Sequence, residues 1–233
     1  MLIRIGHRGA AALAPENSLR SLELAVELGV DVGGDVYDYL LLDDRTLAVV
    51  LGDVTGHGVD AAADMAMAKF VFRSLAREHP NPSDFLGAAN EVVVGEIGPG
   101  KFITMLYLTV SHGDGAVVCA GAGHPPPRVV GADGTVRSLE VRGLVLGVAE
   151  GQRYDEVRER LEPGACVVLY TDGVIEARRE GELFGTARLD AFLAGAHDVP
   201  AQELADAVLA ECQAFSGGEL ADDGAVVVVK RHA

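Results

Sequence analysis

Residues 36–58 of the chain read VYDYLLLDDRTLAVVLGDVTGHG. Two apolar runs, 36–42 and 46–51, flank Asp43-Asp44-Arg45, and this arrangement is typical of a β-hairpin. The second run leads directly into Asp53 and then into a glycine-rich turn. The stretch therefore predicts an antiparallel strand pair that carries a carboxylate at the end of its second strand.

Further hairpins and a few long helices are predicted around this pair. Two strand-like runs, 102–110 and 116–120, join at a Gly-Asp-Gly turn, and Ala132-Asp133-Gly134 marks another hairpin. Apolar residues at helical spacing predict three helices. The first covers 61–78, the second begins at a cap residue, Ser83, and the third covers 200–215. The continuously apolar run 165–170 indicates a strand that is covered on both faces. The run 225–229 indicates a last strand near the end of the chain. Because strands and helices do not alternate regularly, the pattern favours an α+β fold in which two antiparallel sheets pack together with helices outside.

Composition excludes several classes of protein. The chain has 233 residues, 49% of them hydrophobic, and a formal net charge of −16. That charge argues against a nucleic-acid surface, which depends on clustered Lys and Arg. No apolar run approaches the ~20 residues of a membrane span, and the amino terminus does not read as a signal peptide. Three widely spaced cysteines, Cys119, Cys166 and Cys212, indicate no disulfide framework, so we expect a cytoplasmic protein in which Cys166 is buried by packing.

Four aspartates stand at the ends of apolar runs or beside glycine turns: Asp35, Asp53, Asp172 and Asp222. Each Asp-Gly pair taken singly is explained by turn chemistry. Asp53 and Asp172, however, share one pattern, an apolar run followed by a carboxylate and a glycine-containing turn. Several carboxylates delivered by a rigid sheet can hold hard divalent cations, which lower the pKa of a bound water. The set therefore predicts a metal site assembled from distant parts of the chain.

Ordered motifs from residue 33 to residue 231 resemble the SpoIIE/RsbU-type branch of the PPM metal-dependent serine/threonine protein phosphatases. The matching blocks are Val32 to Asp38, Gly52 to Gly58 with Ala61-Ala62, Phe102-Ile103-Thr104, Ala122 to Pro126, Gly143 to Val148, Tyr170 to Glu176, Leu183-Phe184-Gly185 and Asp222-Asp223-Gly224. The resemblance implies an α-β-β-α sandwich, with residues 33–233 as the phosphatase domain.

The same resemblance implies a centre with two Mn²⁺ or Mg²⁺ ions. Asp35 and Asp53 would lie near both metals, and the Val54 carbonyl, Asp172 and Asp222 would complete the ligand set. Asp223 is the alternative to Asp222. Water activated by both metals would attack the phosphorus of a phosphoserine or phosphothreonine in line.

Three further polar residues near these motifs have less defined roles. His57 could protonate the leaving serine oxygen, and the alternative is that it shapes its glycine turn. His124, which precedes three prolines, is interpreted as a structural turn residue. Asp38 is expected close to the site without a ligand role.

The substrate implied by the resemblance is a phosphorylated anti-sigma-factor antagonist in a bacterial stress or sporulation switch. No nucleic acid or membrane partner is expected, and a homodimer is possible.

Residues 1–32 resemble a different family, the glycerophosphodiester phosphodiesterases. His7, Arg8 and Glu16 match the opening motifs of that family, but its later metal-binding motifs are incomplete here. A TIM barrel also needs eight β-α units, whereas the middle of this chain reads as hairpins. We interpret the segment as a foreign β-α unit that either adds to a sheet edge or pairs with a second copy of the chain.

Two other functions stay open on the sequence. One is a catalytically weak binding or scaffold module whose grafted amino terminus drives self-association. The other is a phosphodiesterase that uses His7.

Overall fold

The computed structural model describes residues 5–6, 34–56, 59–218 and 224–232. In chain order the strands are β1 (Ile5–Gly6), β2 (Asp35–Leu41), β3 (Thr46–Val54), β4 (Ile103–Ser111), β5 (Ala116–Ala122), β6 (Arg128–Val130), β7 (Val136–Ser138), β8 (Val157–Arg160), β9 (Cys166–Tyr170), β10 (Arg178–Arg179), β11 (Glu182–Leu183) and β12 (Val226–Lys230). The helices are α1 (Val59–Leu75), α2 (Pro82–Glu96), α3 (Asp172–Ile175), α4 (Gly185–Gly195) and α5 (Ala201–Ser216).

These elements form two compact units that are interleaved along the chain. One unit, which we call the β3 unit, comprises the described residues up to 124 except 5–6, together with 141–159. The other, the β9 unit, comprises 5–6, 125–140 and the described residues from 160 onward. Each unit is built on one five-stranded sheet, and β10 and β11 form a separate two-stranded sheet.

The sheet of the β3 unit has the strand order β2-β3-β4-β5-β8. Helices α1 and α2 bury one of its faces in a cluster that includes Phe72, Phe85 and Tyr107. The rings of Phe85 and Tyr107 stack with their centroids 4.0 Å apart. Each such buried side chain contributes about 1.5–3 kcal/mol to the free energy of unfolding, so this cluster holds the helices on the sheet.

The sheet of the β9 unit has the strand order β1-β12-β9-β6-β7. Alternate residues of β9 and β12 pack on α4 and α5 through Leu189, Leu204 and Val208. At one edge, Ile5 and Gly6 pair antiparallel with Val227 and Val226. The remainder of the segment 1–32, including the helical part of the expected β-α unit, lies outside the described residues.

The predicted fold class is confirmed: both sheets are antiparallel and helices flank them. The hairpins predicted at 43–45, 112–115 and 132–134 are all present. Two details differ from the prediction. Ser83 does not cap α2, which begins one residue earlier at Pro82, because its hydroxyl donates to Glu156 at 3.0 Å instead. Helix α4 was missed, since it buries only Leu189 and Leu193 and so has a weak apolar pattern.

The three cysteines are free and buried, as predicted for Cys166. None of the described helices is both long enough and apolar enough to span a bilayer.

A loop over residues 143–151 is fastened to the β3 unit. Leu146 exchanges two backbone hydrogen bonds with Ile103, at 3.1 and 2.9 Å. The buried Asn90 of α2 donates to the Ala149 carbonyl at 2.9 Å and accepts from the Gly147 amide at 3.1 Å. The loop is therefore attached both to the helix layer and to the start of β4.

We expect Asn90→Ala to lower the free energy of unfolding by about 2 kcal/mol, because it leaves the Gly147 amide and the Ala149 carbonyl without their side-chain partner. Urea unfolding would show a lower midpoint at unchanged slope. Glu96→Ala, on the exposed face of the same helix, is the matched control and should change the value by less than ~0.5 kcal/mol. Equal midpoints for the two variants would contradict the assigned role of Asn90.

Thiol chemistry gives a pH-dependent test of the cores. Burial raises the pKa of Cys119 and Cys212 to about 12 and that of Cys166 to about 11, above the ordinary value of a thiol. Because the folded-state pKa lies above the unfolded value, burial of these thiols adds to the free energy of unfolding below about pH 9. This contribution is lost as the pH rises toward about 11.

At pH 8 a thiol-reactive disulfide reagent should label no cysteine in the folded protein and three in denaturant. Rapid labelling of the folded protein would show that a core opens locally.

Candidate metal centre

Asp35 and Asp53 lie side by side in the sheet of the β3 unit. They are direct partners in the pairing of β2 with β3, and Asp53 is in turn the direct partner of Thr104 in β4. Directly opposed residues share one face, with Cβ atoms about 4.5–5.5 Å apart. Asp35 is only 2% exposed, and Asp53 is half-buried. The structure thus brings together two of the four carboxylates that the sequence singled out.

The Val54 carbonyl joins these carboxylates through a close approach at Gly34. The Val54 amide donates to the Gly34 carbonyl at 3.1 Å. A Cβ atom built on Gly34 would collide with the Val54 carbonyl oxygen and would lie 2.6 Å from Asp53 Oδ1. The missing side chain of Gly34 therefore leaves a small space toward which a backbone carbonyl oxygen and a carboxylate oxygen converge.

The exit from β3 is fixed by Thr55. Its amide and hydroxyl both donate to the Phe102 carbonyl at 3.1 Å, and its hydroxyl accepts from the Phe102 amide at 3.0 Å. These bonds join the end of β3 to the entry of β4. His57 and Gly58 lie outside the described residues, so the role of His57 stays a prediction.

Asp38 faces away from this group. It is three residues after Asp35 on β2 and so points to the opposite face of the sheet. There it is 6% exposed and accepts two hydrogen bonds of 2.6 Å from the guanidinium of Arg73 on α1. The expectation that Asp38 lies close to the site was wrong, because strand alternation turns it toward the helix layer.

Asp172 belongs to the β9 unit. It follows β9 as the first residue of the short helix α3, so the predicted glycine turn is a helical turn. The preceding Thr171 exchanges two hydrogen bonds with Ala225, one through its amide at 3.1 Å and one through its hydroxyl at 2.9 Å. The end of β9 and the entry to β12 are therefore adjacent. Asp222 and Asp223 lie outside the described residues, so the choice between them is not resolved.

The donors in the β3 unit fit a hard divalent cation. Two carboxylates and one backbone carbonyl are the oxygen ligands that Mg²⁺ and Mn²⁺ prefer. A bound cation would offset the charge of two acidic side chains in direct opposition, one of them nearly shielded from water. Within the described residues no group of three or more His, Cys, Asp or Glu side chains converges. Among these residues, the Val54 carbonyl is the oxygen donor that lies beside the two carboxylates.

Comparison with known proteins identifies the family of the chain. Residues 43–232 match the family model of stage II sporulation protein E (SpoIIE). The chain belongs to the SpoIIE family. Among curated relatives of this SpoIIE-family chain, the phosphoserine phosphatase RsbU of Bacillus subtilis (strain 168) is 30% identical over 201 residues, which cover 86% of the chain and 60% of RsbU. The chain thus spans less than two thirds of the length of that relative.

Solved structures extend the likeness to the whole fold. The RsbU and RsbW domains of Rv1364c from Mycobacterium tuberculosis superpose with a TM-score of 0.78 at 27% identity, covering 98% of the chain and 59% of that structure. The SiaA-PP2C domain of Pseudomonas aeruginosa superposes with a TM-score of 0.77 at 21% identity, covering 91% of the chain and 92% of that structure. The second comparison shows that the SpoIIE-family chain has the fold of a PP2C domain.

We expect Gly34→Ala to weaken Mn²⁺ binding and to destabilise the protein by about 1–3 kcal/mol, because the new methyl group would occupy the space between the Val54 carbonyl and Asp53. Calorimetric titration with Mn²⁺ and urea unfolding would measure the two effects. Gly95→Ala on α2 is the control, since its Cβ meets nothing within 4 Å. Unchanged Mn²⁺ affinity in Gly34→Ala would argue against this space as a ligand site.

Proposed function

We propose that the chain is a Mn²⁺- or Mg²⁺-dependent serine/threonine protein phosphatase of the PPM class. The observation that supports this most is the opposition of Asp35 and Asp53 beside the Val54 carbonyl, in a chain of the SpoIIE family.

The proposed ligand set is the one that the family resemblance implies. It consists of Asp35, Asp53, the Val54 carbonyl and Asp172, with Asp222 or Asp223 as the last carboxylate. When bound, two divalent cations would activate water near neutral pH and offset the charge of the phosphoryl group. The carboxylates would hold and orient that centre from the ends of rigid strands. His57 is the proposed proton donor to the leaving serine or threonine oxygen.

The proposed substrate is a phosphorylated protein, by resemblance an anti-sigma-factor antagonist in a stress or sporulation switch. Support comes from RsbU, which is named a phosphoserine phosphatase, and from the structure that contains RsbU and RsbW domains together. The chain matches 60% of the length of RsbU, so we propose, by similarity, the activity and the partners of this chain.

The segment 1–32 is proposed to be distinct from the phosphatase domain. The family match begins at residue 43, beyond this segment. The pairing of Ile5 and Gly6 with β12 favours addition to a sheet edge over pairing with a second copy.

The test is phosphate release from a phosphoserine protein or peptide in the presence of Mn²⁺. Asp53→Asn should lower kcat by at least about 100-fold, since loss of one ligand charge removes several kcal/mol of transition-state stabilisation. Asp44→Asn, an exposed residue of the turn between β2 and β3, is the matched control and should retain the rate.

Equal rates for Asp53→Asn and the unchanged protein would refute the proposed site. Mn²⁺ binding without any turnover would favour the scaffold function instead. Hydrolysis of a glycerophosphodiester that is lost in His7→Ala would favour a phosphodiesterase.

A further inference from the structure

A row of polar side chains crosses three strands of the β3 unit. Asp35, Asp53 and Thr104 are consecutive direct partners on β2, β3 and β4, and they share one face of the sheet. The next row on that face, two residues further along each strand, consists of Tyr37, Leu51 and Leu106, all of which are buried. Thr104 thus stands at the edge of an apolar face as the direct strand partner of Asp53.

His124 contacts that hydroxyl. Thr104 Oγ1 and His124 Nδ1 are 2.8 Å apart, and His124 is only 6% exposed. This distance is that of a hydrogen bond, which one of the two groups must donate. The hydroxyl of Thr104 therefore has a fixed neighbour in His124.

The position of His124 is set by the turn that follows β5. Gly123 has a φ of 67°, in the left-handed region that favours glycine, and its amide donates to the Gly143 carbonyl at 2.9 Å. A Cβ atom on Gly123 would collide with Val145 of the loop 143–151. The loop that Asn90 fastens to α2 thus also determines where the imidazole lies.

We propose that Thr104, held by His124, is a positioning residue for Asp53 in the metal site. In this arrangement His124 Nδ1–H donates to Thr104 Oγ1, which leaves the hydroxyl proton of Thr104 for the Asp53 carboxylate. Partners of this kind fix the orientation of ligand side chains, and their loss costs about 10–100-fold in metal affinity or activity. The inference rests on the proposed function, since it assigns both residues to the same site.

A purely structural bond would behave differently. If the Thr104–His124 contact served only to attach the β5 turn to β4, its removal would lower the stability of the metal-free protein and leave Mn²⁺ affinity unchanged. If Thr104 positions Asp53, removal of the contact should instead clearly lower the Mn²⁺ affinity. The two roles are therefore separable by measuring both quantities.

The first experiment is calorimetric titration of the full chain with Mn²⁺, with urea unfolding of the metal-free protein alongside. Thr104→Val should weaken Mn²⁺ binding by about 10–100-fold. Thr104→Ser keeps the hydroxyl and should stay within about threefold of the unchanged protein, well short of that loss. Thr109→Val is the matched control, because Thr109 lies on the same strand five residues away and on the opposite face. Equal Mn²⁺ affinity in Thr104→Val and Thr109→Val would overturn the proposal.

The second experiment tests the role of His124. His124→Ala should reproduce the loss of Mn²⁺ affinity, whereas His124→Asn, whose amide can donate from the position of Nδ1, should retain most of it. The double variant Thr104→Val/His124→Ala should bind Mn²⁺ no more weakly than Thr104→Val alone, since the two side chains act as one unit. Multiplied losses in the double variant would overturn the proposal.

The direction of the bond can be read from imidazole nitrogen chemical shifts in the metal-free protein. The proposal expects a protonated Nδ1 in His124. A proton on Nε2 alone would mean that Thr104 donates to His124 and turns only lone pairs toward Asp53, which would overturn the proposal.

These outcomes are distinguishable from failure of the proposed function. Phosphate release with unchanged Mn²⁺ affinity in Thr104→Val would overturn this inference alone. Weakened Mn²⁺ binding in Thr104→Val, in a protein that hydrolyses no phosphoprotein, would overturn the function and support the inference. Absence of Mn²⁺ binding in the unchanged protein would overturn both.

Discussion

The register between β2 and β3 is the constraint on which the rest of the site depends. Because side chains alternate along a strand, a slip of one residue would move Asp35 to the other face of the sheet, away from Asp53. The turn between the strands holds the register through Asp43, whose Oδ1 accepts from the amides of Arg45 and Thr46, each at 2.7 Å. The Arg45 amide is the main reason that the pKa of Asp43 lies below its ordinary value. A turn eight residues from Asp35 thereby determines the opposition of the two carboxylates.

Both faces of the central strands contribute to the rigidity of that pairing. On the helix side, Phe72, Phe85 and Tyr107 pack in one cluster, and Asp38 pairs with Arg73 instead of adding a third carboxylate to the site. On the other side, Leu51 and Leu106 are fully buried behind the polar row. Acidic and apolar residues are thus sorted by strand alternation, and the site occupies the end of the sheet where the apolar face stops.

Much of this arrangement could be predicted from local patterns. The hairpin of β2 and β3, the buried strand β9 and the helices α1 and α5 all have strong periodicity and clear turn residues. Helix α4 was missed because its two buried leucines give little periodicity. The misplaced cap at Ser83 has a different cause, since the competing partner, Glu156, is 73 residues away in sequence. Asp38 was misplaced because adjacency in sequence is not adjacency in space within a strand.

The sequence by itself determined the antiparallel hairpins, the acidic residues at strand ends and the membership of the SpoIIE family, because these depend on short-range periodicity and on motifs in order. Only the tertiary structure decided which polar groups meet. Thr104 stands beside Asp53 through the register of β3 with β4, and His124 reaches Thr104 through a turn shaped by Gly123 and Val145. These contacts join residues that are about 20 to 50 positions apart in the sequence. Local propensity does not specify which residues pair across such a separation.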